Sequence, residues 1–340
     1  MLLPDWRISL MAGSGKLHLR LDSDPLLIVQ DLVVQYKVNR KSFVSAVAGI
    51  SFDVLRGETL AIVGESGCGK STLGKAILQL PRPQGGTVVL DGVDITALEG
   101  NDLRDVRPKV QMIFQDAISS LDPRLQVKNI IDEPLKVWKK GTAAERSIKV
   151  DNLLNSVGLD PVVVRDRRPY EFSGGQCQRI SIARAIALDP VLLVCDEPVS
   201  ALDVSIQAQI LNLLQDMKEE FGLTLIFISH DLAVVKAVST RVLVMYLGKI
   251  CEMATPDDLY AHPAHHYSRA LIAAVPIPNP EVGVDKIRVT GEPPSPVDPP
   301  TGCRFRTRCE SASERCATEE PQLQEVGLGH FVACHHPVTN

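Results

Sequence analysis

The sequence predicts an α/β protein built on a parallel sheet covered on both faces, carrying an inserted helical subdomain and a proline-rich extension at the carboxyl end. Three observations carry that expectation. Short apolar runs, Val191–Cys195 and Thr224–Ile228 with its leading threonine, have the length and texture of strands buried on both faces. Stretches with helical spacing alternate with them. Finally, the run Glu58–Val63 enters a glycine-rich loop that opens onto a helix-forming stretch, a strand–loop–helix unit.

The elements follow in chain order. Residues 1–25 lack the basic start, apolar core and small-residue cleavage site of a signal peptide, because Asp5 and Arg7 interrupt the one apolar stretch. They read as a loose tail. Leu26–Val34 and Ile50–Leu55 alternate or cluster apolar residues as strands do. Lys70–Leu80 repeats apolar side chains at Leu73, Ile77 and Leu80 until Pro81 stops the helix. Gly86–Asp91 and Val110–Phe114 are further strands. From Ile118 to about Arg168 the texture turns helical and polar, with β-branched residues massed only at Val162–Val164, which places a helical subdomain at about residues 116–180. Gln176–Leu188 forms a helix that Pro190 closes, and Ser205–Phe221 an amphipathic one with Ile206, Ile210, Leu213, Leu214 and Met217 on one face. Eight prolines between Pro276 and Pro300 resist both helix and sheet interior and mark an appended segment.

Composition narrows the function. A chain of 340 residues with a formal net charge of -5 lacks the net basic face that a dominant nucleic-acid surface needs. No apolar run reaches the ~18 residues that span a bilayer, so a soluble cytoplasmic protein is expected. Its eight cysteines divide into scattered ones (Cys68, Cys177, Cys195, Cys251) and a crowded group (Cys303, Cys309, Cys316, Cys334). In a reducing cytosol the crowded group favours metal over disulfides.

The chemistry lies in the loops. Gly64-Glu65-Ser66-Gly67-Cys68-Gly69-Lys70-Ser71 fits the phosphate loop G-x-x-x-x-G-K-S, in which backbone N–H groups ring the phosphates. Lys70 then reaches the β and γ oxygens, and the Ser71 hydroxyl ligates Mg²⁺. Cys68 fills space inside that loop and could expose it to thiol reagents. The strand Val191–Cys195 ends in Asp196, placed to hold the metal's shell, and in Glu197, placed to orient or deprotonate an attacking water. His230 and Gln115 each follow a predicted strand and would emerge at the carboxyl edge of the sheet, where ligands of open α/β folds bind. A second glycine loop, Ser173-Gly174-Gly175-Gln176, opens a helix whose N–H groups and dipole suit an anion, although an ordinary helix cap has the same sequence. His262, His265 and His266 read as a solvated turn rather than a metal cluster. Lys136, Lys139 and Lys140 read as an exposed helical face.

In this order the motifs resemble the nucleotide-binding subunits of ATP-binding cassette (ABC) transporters, over roughly residues 26–336. Walker A is Gly64–Thr72, the Q-loop glutamine Gln115, the signature Phe172–Gln176, Walker B ends at Asp196, the catalytic glutamate is Glu197, the D-loop Ser200–Asp203 and the switch histidine His230. The resemblance implies a P-loop NTPase (RecA-like) core with an antiparallel β subdomain and an inserted α-helical subdomain, binding ATP and Mg²⁺. It implies that Ser173, Gly174, Gly175, Gln176 and Asp203 complete the ATP site of an opposite subunit, with two chains sandwiching two ATP molecules. It divides the chain into an ATPase domain at 26–262 and an extension at 263–340.

Phe114-Gln115-Asp116, Ser119–Arg124, Glu197–Asp203 and the tail from Gly291 through Phe305 are most similar to the dipeptide and oligopeptide importers, and to the second (F type) of their two ATPase subunits. That similarity implies a second ATPase subunit, two membrane permease subunits and an extracytoplasmic peptide-binding protein as partners, at the cytoplasmic face of a bacterial inner membrane. Related systems carry nickel or other small solutes, and non-transport ABC ATPases share the core motifs. Phe172 stands where leucine is usual, and Cys177 where a longer polar residue is common. Tyr36 and Phe43 compete as the aromatic that stacks on adenine, with Tyr36 favoured.

The spacing Cys303-x5-Cys309-x6-Cys316-x17-Cys334 does not match the short pairs of zinc ribbons, and four cysteines suffice for an iron–sulfur cluster. Zinc, free thiols and disulfides remain open on spacing alone. The peptide-importer resemblance implies a [4Fe–4S] cluster there.

Overall fold

The computed structural model describes residues 16, 18–39, 42–274 and 291–338. Its strands in chain order are β1 (Leu27–Lys37), β2 (Phe43–Val54), β3 (Thr59–Val63), β4 (Gly85–Leu90), β5 (Val93–Asp94), β6 (Val110–Ile113), β7 (Leu192–Asp196), β8 (Thr224–Ile228), β9 (Arg241–Tyr246), β10 (Lys249–Ala254), β11 (Gln324–Gly327) and β12 (His330–Val332). The chain divides into two compact units, one made of Met1–Leu98 with Ser229–Asn340, the other of Glu99–Ile228.

The first unit contains two sheet regions. An antiparallel sheet runs β2-β1-β4-β5; Leu27 pairs with both Val54 and Leu90, so β1 is one of its two inner strands. In the other, β3 lies parallel to β9, with Leu60 opposite Arg241 and Val63 opposite Val244. The strand β9 turns back as an antiparallel hairpin onto β10, which pairs with β12 and through it with β11. All five residues of β3 and all six of β9 are buried, as strands covered on both faces must be. The helix Lys70–Ile77 packs on β1 and β2, and Leu232–Val238 on β3. The expected helix to Leu80 ends at Ile77, because Gln79 takes a left-handed backbone conformation (φ 60°) before Pro81.

The second unit has the parallel strands β6, β7 and β8, with Leu192 of β7 opposite Val110 on one side and Thr224 on the other. Helices Ala117–Ser120, Val127–Val137 and Ala143–Ser156 gather on the helix Gly174–Ile186, which also packs on β6. Val162–Val164 lie in a helical turn, Pro161–Val164, begun by the Asp160 carboxylate, which accepts from the Val162 N–H. Thus the α/β core, the antiparallel β region and the helical region all form.

The proline-dense residues 275–290 fall outside the described part. Beyond them the chain is ordered by pairing as well as by side-chain burial: β12 lies along β10, with Glu252 opposite Val332. Glu252 is fully buried, and its carboxylate accepts from the N–H groups of Ala264 (2.7 Å) and His265 (2.9 Å) and meets His330 Nε2 at 2.6 Å. His265 corrects the reading of residues 262–266 as a solvated turn. It is only 2% exposed, and its Nδ1 accepts from the Tyr267 N–H as the cap of the helix His266–Ala273.

Candidate nucleotide site

The strand β3 delivers its last buried residue, Val63, directly into the first glycine loop. Gly64 and Gly69 have φ of 150° and 106°, and a Cβ at either would fall 2.2 Å from the Met245 carbonyl oxygen or 2.0 Å from that of Ala46. Only glycine fits there. Gly69 caps the helix Lys70–Ile77, so the loop's N–H groups and the helix start lie together as an anion cradle needs. Lys70 is 5% exposed, and its ammonium donates to the carbonyls of Gly64 (2.8 Å) and Glu65 (3.0 Å) and to Cys68 Sγ (3.8 Å). Those bonds hold the charge inside the loop, where a phosphate would compete for it. Ser71 and Thr72 follow, both half-buried; Ser66 and Gly67 are exposed. Cys68 is buried, and burial pushes its thiol above the usual range, which makes it a poor nucleophile.

Two side chains from elsewhere in the same unit hold Glu65. The Tyr267 hydroxyl accepts from the Glu65 N–H at 2.7 Å. Arg308 donates through both terminal nitrogens to the Glu65 carboxylate, at 2.8 and 3.0 Å, and also to the Tyr246 hydroxyl at 3.2 Å. Tyr246, Tyr267 and Phe305 pack as an aromatic trio with ring centroids 4.8 to 5.4 Å apart. Arg308 lies 243 positions from Glu65, and neither it nor Tyr267 belongs to a recognisable motif. Sequence reasoning missed both. His230, in this unit too, is exposed just beyond Ser229, whose N–H donates to the Ile62 carbonyl. Tyr36 and Phe43 sit at one end of the β1–β2 ladder, 41% and 49% exposed.

In the second unit Asp196 is the buried last residue of β7, and Glu197 follows in a left-handed conformation (φ 48°), anchored by its N–H to the Ile228 carbonyl at 3.0 Å. A glutamate held there is strained, a condition common where geometry serves chemistry. Gln115, just beyond β6, donates through Nε2 to Glu197 Oε2 at 2.9 Å. Two residues singled out 82 positions apart are thus in contact. Ser173 caps the helix Gly174–Ile186: its hydroxyl accepts from the Gln176 N–H, and Gln176 Oε1 accepts from the Ser173 N–H at 3.1 Å. Both side chains face solvent. A Cβ on Gly175 would meet Ile206 at 2.6 Å, so the glycine lets this helix approach the helix Val204–Phe221. Asp203 caps that second helix through the Ile206 N–H (3.0 Å), a bond that lowers its carboxyl pKa.

The crowded cysteines are brought near one another. Cys303 N–H donates to the Cys316 carbonyl at 2.8 Å, and the His336 N–H to Cys334 Sγ at 3.4 Å. Burial, then mutual repulsion, raises the thiols of Cys303, Cys309 and Cys334, the last to about 11. Among the described residues, no three or more His, Cys, Asp or Glu side chains stand close enough to grip a single metal ion. Nor is any described helix long and apolar enough to cross a membrane.

Known proteins share this architecture. Residues 47–200 match the family described as ABC transporter, and residues 251–316 the family described as oligopeptide/dipeptide transporter, C-terminal region. A Brucella ovis protein, named for peptide import and ATP binding, is 48% identical over 310 residues, covering 91% of this chain and 97% of the relative. The oligopeptide transport ATP-binding protein AppF of Bacillus subtilis is 50% identical over 295 residues, covering 86% of this chain and 89% of the relative. Among solved structures, the ATP-binding cassette MJ0796, a dimer bound to ADP and phosphate, superposes with a TM-score of 0.62 at 28% identity, covering 68% of this chain and 98% of that one.

Proposed function

Because this chain belongs to the ATP-binding subunits of ABC transporters, in the branch that imports oligopeptides and dipeptides, we propose that it drives peptide uptake by closing on ATP with a second subunit and reopening on hydrolysis. Lys70 and the loop N–H groups of Gly64 and of Ser66 to Thr72, Glu65 excepted because its N–H is held by Tyr267, neutralise the phosphates. Ser71, Gln115 and Asp196 would hold Mg²⁺, which would supply further neutralisation of the phosphate charge. Glu197 draws the proton from the attacking water, and His230 senses the γ-phosphate. Tyr36 stacks on adenine. Ser173, Gly174, Gly175, Gln176 and Asp203 serve the partner's nucleotide.

The observation that carries this reading is the Gln115–Glu197 hydrogen bond, because it joins the glutamine proposed for the metal to the candidate base. Replacing Glu197 by Gln is expected to preserve ATP binding and to slow hydrolysis at least about tenfold; near-normal turnover would refute the assignment of the base.

The ATPase domain extends over 26–262, with its helical part at about 116–180, and the extension over 263–340. The domain acts from the cytoplasmic side on two permease subunits, which receive peptide from an extracytoplasmic binding protein, and its ATPase partner is a second, different subunit, itself being of the F type. For Cys303, Cys309, Cys316 and Cys334 the proposal is a [4Fe–4S] cluster, which would staple the extension. The N–H donated to Cys334 Sγ is of the kind that tunes cluster sulfurs. Iron and labile sulfide measured in anaerobically purified protein test it; a metal-free, folded extension refutes it.

A further inference from the structure

The contact between Arg308 and Glu65 is unusual for what it joins. Glu65 is the second residue of the phosphate loop, so its carboxylate adds a negative charge to the loop that is to receive a triphosphate. An uncompensated carboxylate there would repel the ligand. Arg308 meets it with both arms of its fork, at 2.8 and 3.0 Å, the geometry in which a guanidinium–carboxylate pair is strongest.

The Arg308 side chain is 7% exposed and lies over the Tyr246 and Phe305 rings at 5.8 and 6.0 Å, so it is stiff as well as charged. Its Nε is buried without a hydrogen-bond partner, a cost the structure bears while keeping the fork on Glu65. Tyr267 holds the same residue by its backbone N–H, and Lys70 by its carbonyl. Glu65 is thus fixed at three points, two of which come from residues beyond the ATPase motifs.

We propose that Arg308 is a positioning residue for ATP: it neutralises Glu65 and sets the entry limb of the phosphate loop, so that nucleotide affinity depends on the segment carrying the cysteines. The arginine sits next to Cys309, in the short helical turn Arg306–Arg308 that Cys303 and Cys309 flank. This rests on Gly64–Ser71 being the ATP loop, which Mg·ATP binding by the unaltered chain tests separately.

The experiment measures equilibrium binding of Mg·ATP to the full-length protein, with steady-state hydrolysis alongside. Arg308→Ala is expected to weaken binding roughly tenfold, the scale of one charge-assisted bond, and to raise KM with kcat at saturation within about twofold, as lost uniform binding does. Glu65→Gln removes the carboxylate and should leave affinity unchanged or tighter. In the double variant affinity should return to within about threefold of the original. The Arg308→Ala defect should also shrink as salt rises. Unchanged affinity in Arg308→Ala, or a double variant as weak as the single one, would overturn the proposal. Should Arg308→Ala fail to fold, Glu65→Gln alone decides, since a tenfold loss there would mean that the pair is only a structural strut.

Discussion

Gly69 illustrates how narrowly a single residue can be specified. A methyl group there would sit 2.0 Å from a backbone oxygen that β2 holds in place, and φ of 106° is closed to side chains in any case. Gly69→Ala should therefore cost at least about 1–3 kcal/mol of strain and weaken Mg·ATP binding more than tenfold, measurable by thermal melting and titration. His265 makes a different kind of prediction. Burial lowers its pKa from 6.5 to about 4, against the opposing pull of Glu252, so the folded chain holds a neutral ring. The unfolded chain takes up that proton first, so the contribution is complete above pH 6.5 and fades as pH falls toward 4, by roughly 3 kcal/mol in all. Stability measured between pH 7 and 4.5 should fall less steeply in His265→Asn than in the original; equal slopes would exclude His265 as their source. At this scale the placement of the first glycine loop with Lys70, and of Asp196, Glu197 and Gln115, was legible, because each lies at or just after the end of a strand. Arg308 and Tyr267 were not, since their roles come from folding back over more than 200 positions.

Among elements, those governed by one local rule were read correctly. Thr224–Ile228 forms β8 as expected, and the helix expected at Gln176–Leu188 forms at Gly174–Ile186, two residues earlier, because Ser173 caps it. The hairpin of β9 and β10 escaped for a physical reason: its turn is Leu247-Gly248, with φ of 42° and 78°, where asparagine or aspartate would have announced a left-handed turn. The shallow strands β11 and β12 escaped too, since β11 is exposed along its whole length and has no apolar alternation. The Ser173 helix also allows two roles to be separated. Aspartate caps a helix as well as serine does, yet it would set a negative charge against a partner's phosphate. Ser173→Asp should keep the melting temperature within a few degrees and abolish ATP-driven pairing of subunits, read by sizing chromatography with the hydrolysis-deficient Glu197→Gln background. Retained pairing would leave Ser173 as a cap and no more.

At the scale of the whole molecule, the solvent-facing Ser173 and Asp203 and the phosphate loop are halves of two different sites in the proposed mechanism. Specific ATPase activity should therefore rise on adding the second ATPase subunit, while the lone chain should already bind Mg·ATP; full activity at high dilution would contradict the shared sites. The last strands carry one more consequence. In β10 five of six residues are buried, and β12 occupies its outer edge. A chain shortened before residue 291 would leave that edge bare, a row of unsatisfied amides and carbonyls along an apolar ribbon, which is the template on which neighbouring chains stack. The carboxy-terminal strands are thus also a guard against aggregation, and trimming them to study the cassette alone would yield insoluble material rather than a simpler enzyme.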